Sequence, residues 1–116
     1  MGEEVIEQYF DNFYRVVVVR DNGEYVVSVD VYYVGWTYGD HREVCIENTC
    51  LLIKELDASI LRVNPCKSRK ITVIGTRLGS KAETINIKWI CSEKPSGHEL
   101  EELYRLSWII ARGEIT

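Results

Sequence analysis

A chain of 116 residues is one domain by length and is long enough to bury a real core. Its 46% hydrophobic and 28% charged content excludes a disordered chain, and its longest apolar runs are far short of a membrane span. The net charge of −4 excludes a uniformly basic nucleic-acid binder.

The charge is uneven along the chain. Eight bases lie between Arg62 and Lys94, opposed only by Glu83 and Glu93, so this stretch carries +6 and the remainder −10. Such asymmetry marks either an anion-binding surface or a basic part that packs on the acidic part, within the chain or across a dimer.

The start, Met1-Gly2-Glu3-Glu4, is acidic where a secretory leader is basic and then apolar, so a cytoplasmic protein is expected. The four cysteines, Cys45, Cys50, Cys66 and Cys91, then read as reduced apolar residues, or as disulfides if the source is a hyperthermophile. The single Gln and the scarcity of Met hint at a thermophile.

In chain order, Val5, Ile6, Tyr9 and Phe10 recur at helical spacing, which predicts a short helix over 3–10. Phe13 to Arg20 reads as a β-branched strand, Asp21-Asn22-Gly23 as a turn, and Glu24 to Val34 as an alternating strand. Tyr25, Val27, Val29, Val31 and Tyr33 share one face of it, and Ser28 and Asp30 lie on the other. An aromatic loop or short strand follows, with Tyr32, Tyr33, Trp36 and Tyr38. Cys45, Thr49, Leu52, Leu56 and Ile60 then form a stripe that predicts a helix over about 41–60, with Asp40 or His41 as its cap. Asn64-Pro65 ends it.

Lys70 to Leu78 and Thr84 to Cys91 predict a second hairpin. Ser96 and Glu99 form a capping box for a last helix reaching about Arg112, with Leu100, Leu103, Tyr104, Ser107, Ile110 and Ala111 as its buried stripe. The expected fold over 1–116 is therefore a single α+β domain in the order (α)ββ(β)αββα. It has an antiparallel sheet of four to five strands with helices packed on one face.

The chemistry-bearing residues are few. His41 and His98 are the only histidines, and no nucleophile motif, phosphate loop or dinucleotide fingerprint occurs, so catalysis and a cofactor are not expected. On a helix, His41 and Cys45 fall on one side, and Cys66 and Cys91 would complete a metal site. Cys45 and Cys50 would point apart on that helix, and reduced or disulfide-bonded cysteines are the plainer reading.

The aromatic segment Tyr32, Tyr33, Trp36 and Tyr38 is the candidate partner surface, for a protein partner or a homodimer. The alternative is a nucleic-acid surface on the basic 62–94 hairpin, carried by Lys67, Arg69, Lys70, Arg77, Lys81 and Lys88.

Tyr14-Arg15-Val16-Val17-Val18-Val19, Gly23 to Val29, and then Gly39-Asp40, Glu43, Asn48 and Ile53 resemble the opening hairpin and helix of HicB-like antitoxins. The likeness runs over about 14–56, and Cys45 stands where that family has Ala. It implies a partial RNase H-like ββ(β)α fold and a non-catalytic domain that binds a small partner toxin. No helix-turn-helix or ribbon-helix-helix segment is recognisable in the C-terminal half. The expected element order is also similar to that of secretion-chaperone-like dimers, on topology alone. The expected function is that of a small non-catalytic regulatory or protein-binding domain.

Overall fold

The computed structural model describes residues 3–32, 36, 39–66, 70–79 and 81–113. Seven strands are present among them: β1 (Glu4–Phe10), β2 (Tyr14–Asp21), β3 (Glu24–Tyr32), β4 (Arg42–Ile46), β5 (Thr49–Asp57), β6 (Lys70–Leu78) and β7 (Lys81–Cys91). A 3-10 turn, Ala58–Ile60, follows β5, and one α-helix, α1 (Gly97–Ala111), closes the chain. The strands form a single antiparallel sheet in the order β1-β2-β3-β7-β6-β5-β4. Two sequential runs, β1 to β3 and β4 to β6, are joined by β7, which inserts between β3 and β6.

Local chemistry accounts for the two hairpins foreseen in the sequence. Asn22 and Gly23 both take positive φ, 53° and 81°, so a two-residue turn joins Asp21 to Glu24 with the twist the flanking strands need. Period-2 alternation then divides the sheet. Val16, Val29, Ile87 and Val73 form one rung across β2, β3, β7 and β6, and all four are buried. Val18, Val27, Val31, Ile71, Ile85 and Trp89 fill the same face. α1 lies against β3 and β7 on this side and adds Leu100, Leu103, Ile110 and Ala111 to the core. Its N-terminus is the capping box expected from Ser96 and Glu99. Among the described residues no helix is long and apolar enough to cross a membrane.

Two predicted helices are strands, and the expected sheet of four to five strands with several helices on it is corrected to seven strands with one helix. Residues 4–10 form β1. A bulge between Val5 and Glu7 breaks the alternation, so Ile6 packs on the core while Val5 is exposed, and the apolar spacing imitates a helix. Residues 42–57 form the β4–β5 hairpin, not a helix over 41–60. The segment that resembles the HicB-like helix is therefore a strand, a two-residue turn and a second strand.

The hairpin turn is Glu47-Asn48, with Glu47 at φ 54°. Leu52 and Leu56 face the helix side, and Leu51 and Ile53 face the opposite side, so β5 is apolar on both faces and its period is hidden.

Candidate functional site

The helix covers only one face of the sheet. On the other face, one rung runs Arg15, Asp30, Asn86, Ile74, Ile53 and Arg42 across β2, β3, β7, β6, β5 and β4. This rung divides the open face by chemistry. Its β2–β3–β7 end is polar. Asn86 Nδ2 donates to Ser28 Oγ and to Asp30 Oδ1, both at 2.7 Å. Arg15 donates to Gln8 Oε1 at 2.9 Å. Lys88 stands beside Ser28 and, with Arg15 and Asp30, lines a shallow cleft of about 260 Å³ over Val17, Val19 and Val26.

The β4–β5–β6 end is apolar. Val44 pairs with Leu51, Ile53 with Ile74, and Leu78 with Thr49, which also pairs with Ile46. Period-2 alternation puts Val44, Ile46, Leu51, Ile53, Ile74 and Leu78 on the open face. Val44 is 45% exposed, Ile46 74%, Leu51 37% and Leu78 50%. β4 is the outermost strand, and every residue of it is exposed.

The hairpin that carries this strip is braced from the helix side. Cys45 and Cys50 face each other across β4 and β5 with their Cα atoms 4.0 Å apart, and they form a disulfide. On a strand pair they meet, where a helix would have turned them apart. The Arg77 guanidinium reaches from β6 to the Glu43 carboxylate at 2.5 Å. Glu43 lies close to both sulfurs, but those sulfurs are bonded to each other, so this trio is a covalent clasp with an ion pair beside it. The second disulfide, Cys66–Cys91, ties the segment before β6 to the end of β7. With all four cysteines paired, the His41, Cys45, Cys66 and Cys91 metal set is not assembled.

The other anticipated site residues fall in separate places. Trp36 is half-buried on the helix side of the sheet, over Gly75, with its ring 5.4 Å from that of His41 in an edge-on arrangement. Tyr32 ends β3 and is half-buried. Tyr33 and Tyr38 lie outside the described residues, as do Lys67 and Arg69. Lys70 is 3.5 Å from Glu55, and Lys94 is 3.5 Å from Glu7. Lys81 opens β7. Of the bases proposed for nucleic acid, Lys70 and Arg77 are paired to carboxylates, and Lys88 shares its cleft with Asp30.

Three bases of the basic stretch, Lys70, Arg77 and Lys94, thus pair with carboxylates of the acidic remainder within one chain. The apolar strip itself escaped the sequence reading. Its signal was the Val44-x-Ile46 and Leu51-x-Ile53 spacing on either side of a two-residue turn. No family model, no curated protein and no solved structure matches the chain.

Proposed function

We propose that this chain is a non-catalytic protein-binding domain and that it binds through the β4–β5–β6 end of its open sheet face. The observation that carries this reading is the strip of Val44, Ile46, Leu51 and Leu78, exposed on a face the single helix does not cover. Contiguous apolar surface rimmed by polar residues is a feature of protein interaction sites. Here the rim is the Arg15, Ser28, Asp30, Asn86 and Lys88 group together with Arg42. The bracing by Cys45–Cys50 and by Arg77–Glu43 favours recognition too, because a preformed surface loses less entropy on binding.

The nucleic-acid reading is weakened because phosphate binding draws on unpaired cations, and Lys70, Arg77 and Lys94 are paired to carboxylates. The two disulfides fit an oxidising compartment or the interior of a hyperthermophile, so a cytoplasmic setting is consistent with the second.

The test is recovery of the tagged chain from its native host, compared with an Ile46→Lys/Leu51→Lys variant. The wild type brings down a stoichiometric protein, or a second copy of itself. The variant, with unchanged circular dichroism, recovers neither. A wild type recovered bare and monomeric would overturn the reading.

A further inference from the structure

Resting on the reading of the β4–β5–β6 end of the sheet as a protein-binding surface, we propose that its partner is a second copy of this chain, joined edge to edge by antiparallel pairing of the two β4 strands about Val44.

A sheet edge exposes a row of backbone donors and acceptors, and proteins that stay monomeric blunt it with bulges, proline or lysine. The two edges of this sheet differ in that respect. β1 carries a bulge between Val5 and Glu7, and its residues include Glu4 and Glu7. Paired with a second β1 about its centre, it would set Glu7 against its own counterpart. β4 pairs with β5 in continuous register from Arg42 to Ile46 and contains no proline, lysine or bulge.

A twofold axis at Val44 places Val44 against Val44 of the second copy. It places Arg42 against that copy's Ile46, and Glu43 against its Cys45, so no like charges are opposed. Arg42 and Glu43 cancel, so the strand is neutral overall.

The same axis also aligns side chains on the open face. Val44 is the cross-strand partner of Leu51, so one rung would read Leu51, Val44, Val44, Leu51 across four strands of the two copies. Strand spacing of about 4.8 Å brings these four apolar side chains into continuous contact. The outer edge of β4 is covered in the pair, and the two apolar strips lie side by side on one continuous face. The Cys45–Cys50 clasp holds β4 in register on β5 while its outer edge is engaged. An interface of one five-residue strand and its flanking side chains falls below about 1,200 Å² in total, which is the range of weak, reversible association. Association is then weak, with monomer and dimer exchanging as concentration changes.

The experiment is sedimentation of the full oxidised chain from about 1 to about 500 µM, spanning micromolar dissociation, with hydrogen exchange of β4 followed over the same range. The expected result is a monomer–dimer equilibrium in which the β4 amides gain protection as dimer forms. Val44→Lys should weaken it at least tenfold, and Phe10→Lys on the opposite edge should leave it unchanged. If Val44→Lys does not fold, the concentration dependence of β4 exchange in the wild type decides.

A monomer at every concentration overturns the proposal. So does a dimer that gives β4 no protection and is broken instead by Ile74→Lys, the signature of two open faces stacked. That last result would leave the protein-binding reading standing. A monomer whose Ile46→Lys/Leu51→Lys variant still loses a different partner would do the same.

Discussion

Trp89 Nε1 donates a 2.7 Å hydrogen bond to Ser107 Oγ, and both residues are fully buried. The Ser107 hydroxyl in turn donates to the Leu103 carbonyl, also at 2.7 Å. This contact between β7 and α1 therefore satisfies the polar atom of the largest core side chain. Ser107→Ala keeps the volume nearly constant but strands the indole N–H. Leaving a buried donor unpaired costs about 1–3 kcal/mol, so thermal unfolding should shift down by several degrees. A Ser107→Ala variant that melts with the wild type would show that the bond contributes nothing.

At Gly75 a side chain is excluded by close approach. A Cβ there would stand 2.8 Å from Trp36 Cε3, an atom of a rigid aromatic ring rather than the far end of a flexible chain. Gly75→Ala should displace Trp36 and cost about 1–3 kcal/mol by overpacking. The checks are urea unfolding and tryptophan emission, which should move to longer wavelength as Trp36 becomes wetter. Unchanged emission with unchanged stability would mean that the ring has another place to rest.

How much was legible follows from where each face ends up. The β2–β3 hairpin and α1 could be read because each has one buried side: Val27, Val29 and Val31 alternate against Ser28 and Asp30, and Ser96 with Glu99 marks the helix start. β5 could not, because Leu51, Leu52 and Ile53 are consecutive and serve both faces, so a helical stripe through Cys45, Thr49, Leu52 and Leu56 fitted equally well. The Glu47-Asn48 turn lacked the Gly that announced the first hairpin, although Glu47 adopts positive φ all the same. The apolar strip was illegible for a different reason. It exists only because one helix, not two, covers a seven-stranded sheet, and no local pattern states that count.

The α1 capping box makes a pH prediction. Glu99 accepts a 2.9 Å hydrogen bond from the Ser96 amide, and Ser96 Oγ accepts one from the Glu99 amide at 3.2 Å. The Ser96 backbone hydrogen bond is the main cause holding the Glu99 carboxyl below its ordinary value of 4.5. A carboxyl depressed in the folded state contributes stability that is present above about pH 4.5 and is lost as pH falls through the lower folded value. Asp57, which caps the 3-10 turn through the Ser59 amide, acts in the same direction. Wild-type stability should therefore fall below about pH 4.5, and Glu99→Gln should flatten part of that fall while changing little at pH 7. Ser96→Ala, which removes the cap at every pH, should cost about 1 kcal/mol. Parallel pH profiles for wild type and Glu99→Gln would refute the assignment.

The two disulfides should not be equal in their effect on stability. Cys66–Cys91 closes 25 residues of sequence and Cys45–Cys50 closes 5. If a crosslink acts by restricting the unfolded chain, the longer loop contributes about 3.5 kcal/mol and the shorter about 2 kcal/mol. Cys91 is also buried in the core, whereas Cys45 is exposed on the edge hairpin. Removing the pair Cys66→Ala/Cys91→Ala should therefore lower urea stability by more than removing Cys45→Ala/Cys50→Ala does. The second variant should keep the far-ultraviolet spectrum of the wild type, because β5 remains paired with β6 along its length. The exposed clasp should also be the first to yield to a dithiol reductant, and mass spectrometry after alkylation would show Cys45 and Cys50 labelled before Cys66 and Cys91. The reverse order of labelling, or equal losses of stability, would mean that the β4–β5 hairpin is held more firmly by its neighbours than its exposure indicates.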